Sequence, residues 1–154
     1  MPKKSVELLL FTISSPLKGC VYIDKILIDT FEDERMCSDG LLSLYEEISK
    51  KYNIEKIYFV RGPGSFMAIK LTYIFLKTLQ ITKNIEIQAT DAFTFNNNSP
   101  IKGCGNLYFV KKDGNISLQK KDDIKESKYL LPEILDSSLF SDEIEPLYIL
   151  PAVR

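Results

Sequence analysis

The segment from Ser5 to Ser14 constrains the fold of this chain more than any other stretch. Its apolar residues occupy adjacent as well as alternate positions, with an unbroken run from Leu8 to Phe11. A strand with this pattern is typical of the middle of a sheet, because a half-exposed strand alternates apolar and polar residues. We therefore expect this strand to be buried on both faces.

The segments that follow supply strands and helices in an order that indicates the fold class. Three strands, a helix, a strand, a second helix and a strand make a mixed sheet with flanking helices, which is an α/β fold. The first helix has Ser38 or Asp39 as its predicted N-cap and Asn53 as its end. The predicted strands are 5–14, 20–23, 25–31, 56–60 and 85–88, and the predicted helices are 38–53, 65–82 and a short one over 91–95.

An asparagine-rich break, 96–100, divides the chain into two predicted lobes, an N-terminal lobe over 1–95 and a reduced C-terminal lobe over 96–154. In the second lobe, Asp113-Gly114 predicts a tight hairpin turn. The other predicted elements there are a weak helix over 131–140 and a final strand over 146–150.

The composition excludes much of enzymology. The chain of 154 residues contains no histidine, which removes His-dependent nucleophile pairs, most zinc sites and the commonest general acid or base. Its three cysteines are widely spaced, which suits a reducing compartment better than a disulfide framework. No apolar run approaches the roughly 18 residues of a membrane span. We expect a cytoplasmic protein without catalytic residues, metal, cofactor or membrane contact.

The glycine turn before the second helix has two interpretations. Gly62, Gly64 and Ser65 stand between a strand and a helix, where free backbone amides can bind phosphate. However, Met67 occupies the place of the third glycine of a dinucleotide fingerprint, and the first lysine after the turn is Lys70. The spacing favours a structural turn in which Ser65 caps the helix.

The second helix is more hydrophobic than one covered face requires. Helical phase predicts that its sheet-facing side contains Met67, Ala68, Leu71, Ile74, Phe75, Thr78 and Leu79. The other side, which contains Ile69 and Tyr73, is then a predicted protein interface, since a helix that is apolar nearly all round is buried on more than one side. Burial beneath the second lobe is the alternative.

The turn and its flanks carry a resemblance to a known family. The segment Val60-Arg61-Gly62-Pro63-Gly64-Ser65-Phe66 resembles the Gly-Arg-Gly-Pro-Gly-Ser-Phe-Thr-Gly signature of the TsaB (YeaZ) family. Ser38 followed by Leu41-Leu42 is similar to its His-Ser/Thr…Leu-Leu element, and Pro146 to Leu150 resembles its closing Pro-x-Tyr-Leu-Arg. That family belongs to the actin and sugar-kinase superfamily, so the resemblance implies a ribonuclease H-like mixed sheet.

The chain departs from the family pattern at several places. Thr12-Ile13 replace the Asp-Thr that follows the first strand, Met67-Ala68 replace the Thr-Gly of the signature, and Cys37 replaces a histidine. The first of these changes removes the aspartate that echoes the phosphate loop of nucleotide-binding relatives.

The resemblance implies an accessory subunit and not an enzyme. The subunit would belong to the bacterial machinery that installs threonylcarbamoyl on the adenosine next to the anticodon of tRNAs. Its partners would be a TsaD-like catalytic subunit and a TsaE-like ATPase, it would contact tRNA only indirectly, and alone it would form a homodimer. The pairing surface is expected at positions chosen by helical phase: Leu41, Leu44, Tyr45 and Ile48 in the first helix, and Ile69, Lys70, Tyr73 and Lys77 in the second.

Two other functions remain open at this point. A homodimeric nucleotide-binding regulator would use the amides of Gly62, Gly64 and Ser65 to hold phosphate. A small acyltransferase or peptidase-like enzyme of the same fold would need a nucleophile or a metal, and no motif in the sequence supplies either.

Overall fold

The computed structural model describes residues 2–103, 105–122, 124 and 128–149. Within them lie eight strands, two α-helices and two 3₁₀ helices. They are β1 (Lys4–Phe11), β2 (Leu17–Ile23), β3 (Ile26–Asp33), α1 (Cys37–Lys51), β4 (Tyr52–Val60), α2 (Phe66–Lys83), β5 (Glu86–Thr90), a 3₁₀ helix (Ala92–Phe95), β6 (Ile101–Lys102), β7 (Leu107–Lys112), β8 (Asn115–Lys120) and a second 3₁₀ helix (Ser137–Leu139).

The first five strands form a mixed sheet in the order β3-β2-β1-β4-β5. As its apolar run predicts, β1 is central: it pairs antiparallel with β2 and parallel with β4. Leu8, Leu9 and Leu10 are completely buried. Leu8 and Leu10 point to what we call the front face of the sheet, and Leu9 and Phe11 to the back face. The predicted α/β class is confirmed.

The helices α1 and α2 cover the front face. Leu44 and Ile48 of α1 and Leu76 of α2 pack there around Leu8. The predicted caps of α1 are wrong, since its N-cap is Met36 without a side-chain hydrogen bond, and the helix passes at Tyr52 directly into β4. No loop separates α1 from β4, because Tyr52, the C-cap residue of the helix, already has the extended backbone angles of a strand.

Two tight turns follow the sequence prediction. Asp24 and Lys25, between β2 and β3, both have positive φ angles, of 52° and 66°. Asp113 and Gly114, between β7 and β8, have φ angles of 51° and 81°. Positive φ at both central residues is what the type I′ two-residue hairpin turn requires, and Asp and Gly reach it at low cost.

The segment from Leu131 to Ser141, which we call the strap, crosses the back face of the five-stranded sheet. At β3, the amide of Leu27 donates to the carbonyl of Glu133 at 2.8 Å. At β5, on the opposite edge, the amide of Ala89 donates to the carbonyl of Ser141 at 2.9 Å. The helix predicted over 131–140 is therefore wrong. Backbone groups of the strap bond to the sheet edges, and only the short 3₁₀ helix over Ser137–Leu139 forms.

The strap and the first 95 residues share one core. Leu135 and Phe140 are buried with Leu9 and Phe11 on the back face, and the rings of Phe140 and Tyr58 lie 4.7 Å apart. The lobe boundary at 96–100 stays a prediction. Of the final strand predicted over 146–150, residues 146–149 form no strand, and Leu150 lies outside the described residues.

Candidate partner-binding site

An exposed apolar stripe runs along α2. Met67, Ile74 and Ile81 are 62%, 51% and 74% exposed, and Leu71 and Thr78 lie between them at steps of three and four residues. At about 3.6 residues per turn, these five positions share one side of the helix. The opposite side is the buried one and contains Ala68, Ile69, Thr72, Leu76 and Leu79.

The stripe borders a groove between the two helices. From α1 come Ser38 and Leu42, whose side chain is 54% exposed, and from α2 come Leu71, Ile74 and Thr78. The groove has a volume of about 300 Å³, and its lining is mainly apolar. We call it the α1–α2 groove. An uncovered apolar groove with a polar rim is typical of a protein-binding surface.

Aromatic packing closes the groove on its inner side. The ring of Tyr45 in α1 meets the ring of Phe75 in α2 edge to face, with centroids 5.3 Å apart. The ammonium group of Lys83 lies 6.0 Å from the Tyr45 ring centroid. These contacts fix the spacing of the two helices, so the groove is preformed.

A buried chain of hydroxyl and thiol groups fixes the rotation of α2. The Oγ1 atoms of Thr72 and Thr12 lie 2.7 Å apart, and the Sγ atom of Cys37 lies 3.6 Å from Thr72 Oγ1. The Cys37 sulfur also lies 3.8 Å from the carbonyl oxygen of Ala68. Burial raises the pKa of the Cys37 thiol, so the thiol keeps the proton that it can donate. The chain joins the end of β1 and the start of α1 to the middle of α2.

Thr72→Val is expected to destabilise the protein by about 1–3 kcal/mol, because it leaves the buried Thr12 hydroxyl without its partner. Urea unfolding measures the loss. The double variant Thr12→Val/Thr72→Val removes both hydroxyls and is expected to regain much of the stability. Additive losses in the double variant would contradict the pairing.

The electrostatic character of the two helices differs. The sequence of α2 contains Lys70, Lys77 and Lys83 and no acidic residue. The sequence of α1 contains Asp39, Glu46 and Glu47, with Lys50 and Lys51 confined to its last turn. The groove is therefore bordered by a basic helix on one side and by acidic residues on the other.

The structure places the predicted α1 residues in the core. Leu44 and Ile48 are completely buried, and Leu41 and Tyr45 are 4% and 6% exposed. Their prediction as a pairing surface is corrected here, because α1 has a single apolar face and the sheet occupies it. Leu41 and Leu42 of α1 line the groove, and Leu42 is the exposed one. Helical phase did not indicate Leu42, because it lies outside the predicted apolar periodicity of α1.

The predicted α2 residues divide into three groups. Lys70 and Lys77 are exposed beside the stripe, and Tyr73 is partly buried against the front-face core. Ile69 is only 2% exposed, so its prediction as a surface residue is wrong. Of the predicted sheet-facing residues, Ala68 and Leu79 are buried but Met67 and Ile74 are exposed, so the helix is rotated by about a quarter of a turn relative to the predicted phase. The small residue Thr72, one helical turn after Ala68, marks the side that approaches β1 and could have indicated the rotation.

The glycine turn packs against the chain and presents little of itself to solvent. Gly62 has a φ angle of 120°, and its carbonyl accepts from the amide of Ala92 at 2.8 Å. A Cβ atom at Gly62 would lie 2.9 Å from the Ile69 side chain and 3.2 Å from the backbone oxygen of Leu147. A Cβ atom at Gly64 would lie 3.1 Å from Ile13. The structure therefore explains both glycines by close packing.

The remaining predicted residue, Ser65, caps α2 and borders a separate cleft. Its Oγ atom accepts from the amide of Ala68 at 3.4 Å, which confirms the predicted cap. The cleft has a volume of about 210 Å³, and Thr12, Ser38 and Arg35 also line it, whereas Gly62 and Gly64 do not. The three predicted anion-binding residues are thus not brought together at one surface.

Among the described residues, no group of three or more His, Cys, Asp or Glu side chains is placed to hold a metal ion. Neither described helix combines the length and apolar character needed to cross a membrane.

The chain resembles known proteins in structure. No protein-family model matches the chain, and no curated protein matches it. YeaZ from Pseudomonas aeruginosa superposes with a TM-score of 0.59 at 13% identity, over 76% of this chain and 65% of that one. An uncharacterized protein described as similar to peptidase YEAZ, from Pseudomonas aeruginosa, superposes with a TM-score of 0.55 at 14% identity, over 76% of this chain and 64% of that one. The chain has a YeaZ-like fold and spans slightly less than two thirds of each of these structures.

Proposed function

We propose that this chain is a non-catalytic accessory subunit of the machinery for tRNA threonylcarbamoyladenosine modification. In this proposal it pairs through the α1–α2 groove with a TsaD-like catalytic subunit, and a TsaE-like ATPase acts with the pair. We also infer that its five-stranded sheet is that of the actin and sugar-kinase superfamily. The Gly62-to-Phe66 signature and the YeaZ-like fold support both statements.

The observation that carries the proposal is the uncovered apolar stripe of α2. A chain of this size needs only one apolar side of each helix to cover its sheet, and the buried side of α2 already does so. The opposite side gains nothing from Met67, Ile74 and Ile81 in an isolated molecule, because apolar side chains are stabilised only where they leave water. A partner that covers the stripe supplies that burial.

The charges around the groove indicate what kind of partner fits. Lys70 and Lys77 beside the stripe favour acidic residues on the facing surface, and Glu46 and Glu47 of α1 favour basic ones. A second helix pair with the same acidic and basic asymmetry, turned antiparallel, meets both requirements. A TsaD-like subunit with a related helix pair satisfies this description, and so does a second copy of this chain.

Co-purification with a TsaD-like protein of the same organism tests the proposal. We expect a one-to-one complex on size-exclusion chromatography. We also expect that tRNA modification requires both proteins and the ATPase, and that this chain alone has no activity. The control is a protein of similar size and charge from outside the actin and sugar-kinase superfamily, which should not associate. Failure of the two proteins to associate would contradict the proposal.

The self-association of the chain gives a second readout. The homodimer and the heterodimer would use the same groove, so addition of the TsaD-like subunit should dissociate the homodimer. Sedimentation velocity of the mixture measures this exchange. A homodimer that persists beside a bound TsaD-like subunit would show that the groove is not the pairing surface.

A further inference from the structure

Two sequence motifs that lie far apart along the chain, the glycine turn and the segment from Pro146 onward, meet in the structure. The amide of Leu147 donates to the carbonyl of Arg61 at 2.9 Å. The guanidinium group of Arg61 donates through Nη1 to the carbonyl of Glu145 at 2.8 Å, and its Nη2 atom lies 3.5 Å from a carboxylate oxygen of Glu143. The Arg61 side chain is only 15% exposed. One largely buried arginine therefore fixes residues 143–148, which we call the closing segment, beside the turn.

The closing segment passes from the back of the sheet to its front. The strap bonds through Ser141 to Ala89 at the β5 edge on the back face, whereas Ile144 is 8% exposed and belongs to the front-face core. This path brings Tyr148 to the start of α2, where the rings of Tyr148 and Phe66 lie 4.7 Å apart. The contacts of Arg61 thus determine where this ring pair stands.

Exposed apolar side chains cluster around the ring pair. Phe66 is 58% exposed and Tyr148 is 42% exposed. Met67, the next residue of α2, is 62% exposed, and Met36, which lines the same small cleft as Met67, is 75% exposed. We call these four residues the end patch. Aromatic residues and methionine are enriched at protein interfaces, and a grouped apolar exposure of this kind indicates a surface that a partner covers.

The end patch adjoins the α1–α2 groove. Met67 is the first residue of the exposed stripe, about one helical turn before Leu71, and Cys37, which follows Met36, lines the groove. The groove is lined by eight of the described residues, whereas each side of a stable interface of standard size contributes about 20–30 residues. A subunit that fills the groove therefore needs more surface beside it, and the end patch continues the stripe as apolar surface.

We propose that the end patch is a second contact region for the subunit that fills the groove, and that Arg61 is the residue that positions it. This inference rests on the proposed function, since it concerns the same TsaD-like partner. The partner covers the Phe66–Tyr148 ring pair with an apolar surface of its own. Arg61 does not touch the partner and acts only through the closing segment.

Calorimetry of the full chain with the TsaD-like subunit tests the end patch. Phe66→Ala and, separately, Tyr148→Ala are expected to raise the dissociation constant about tenfold or more, because aromatic side chains are prominent among the residues that carry binding energy. Tyr148→Phe keeps the ring and should bind as the unaltered chain does. Leu139→Ala is the matched control, since Leu139 is 51% exposed on the strap, and it should leave the dissociation constant unchanged.

A double-variant cycle tests the role of Arg61. Arg61→Met releases Glu143 and Glu145, so we expect it to weaken binding by about the same factor as Tyr148→Ala. The double variant Arg61→Met/Tyr148→Ala should bind no more weakly than the weaker single variant, because both changes remove the same contact with the partner. Lys56→Met is the control for the loss of an ion-paired cation, since the Lys56 side chain is 16% exposed, and it should not change the affinity.

The possible failures of the two proposals are distinguishable. Unchanged affinity in both alanine variants, or an equal loss in Leu139→Ala, would overturn the end patch as a contact region. If Ile74→Glu in the groove still abolished binding in that case, the groove would remain the pairing surface. Losses that multiply in the double variant would overturn the positioning role of Arg61. The absence of any complex with the unaltered chain would overturn the proposed function and this inference together.

Discussion

Ile74→Glu is expected to abolish co-purification of this chain with a TsaD-like subunit. Ile74 lies at the middle of the exposed stripe and lines the α1–α2 groove. Substitutions at the centre of an interface commonly cost about 2 kcal/mol or more, which corresponds to a dissociation constant at least about thirtyfold higher. An unpaired carboxylate buried against an apolar partner adds its own desolvation cost. Calorimetry or surface plasmon resonance measures the change.

The fold should tolerate this substitution. The Ile74 side chain is 51% exposed, and surface substitutions away from caps and cores usually change stability by no more than about 0.5 kcal/mol. Leu139→Glu is the matched control, because Leu139 is also 51% exposed and lies on the strap. Binding that survives Ile74→Glu, or that is lost equally in Leu139→Glu, would contradict the assignment of the groove.

Gly62→Ala is expected to have the largest effect on stability of any single substitution in the turn. The φ angle of 120° at Gly62 lies in a region that residues with a Cβ atom rarely adopt. The added methyl group would also meet the Ile69 side chain at 2.9 Å. Backbone strain and overpacking each cost about 1–3 kcal/mol, so we expect a loss of roughly 2–6 kcal/mol in the free energy of unfolding.

Gly114→Ala separates the two contributions. Gly114 also has a positive φ angle, of 81°, but a Cβ atom there has no neighbour within 4 Å. Only the backbone term applies, and we expect a loss of about 1–2 kcal/mol. Denaturant unfolding of the two variants gives the comparison. Equal losses would show that packing of the turn against Ile69 and Leu147 contributes nothing.

The sheet was predictable because its signals are local. The run from Leu8 to Phe11 identified the central strand, since adjacent apolar residues require burial on both faces. Asp113-Gly114 identified the β7–β8 hairpin, which belongs to a separate three-stranded sheet, because few other residues accept positive φ angles at both turn positions. Ser65 identified the start of α2, because a serine hydroxyl before an apolar helix is a common N-cap.

The rotation of α2 was not predictable from periodicity. A helix that is apolar nearly all round has no single apolar direction. Which side it buries depends on tertiary contacts with other elements, and periodicity within the helix does not reveal these contacts. Here those contacts are the Thr12–Thr72 hydrogen bond and the packing of Ile69 against Gly62. Both join residues that are far apart or on different elements, so helical phase alone assigned Ile69 to the wrong side.

The prediction of a pairing surface on α1 was wrong for a different reason. The phase of Leu41, Leu44, Tyr45 and Ile48 was right, but one apolar face cannot serve the core and a partner together. The helix predicted over 131–140 was wrong because the strap is an extended segment that bonds to two sheet edges, and such a segment has neither helical nor strand periodicity. Its position depends on the free backbone groups of Leu27 and Ala89, which only the assembled sheet presents.

The strap has a consequence for how the protein is made. It follows every strand of the five-stranded sheet along the chain, and Tyr22 bonds to Pro132 across 110 residues. During synthesis the sheet and both helices can therefore assemble while Tyr22 and Tyr58 on the back face still lack the strap residues that cover them. Such exposed apolar surface on a partly made chain promotes aggregation. Translation through Ser141 is the step that covers this surface, so a ribosome stalled before the strap would hold a nascent chain in need of a chaperone.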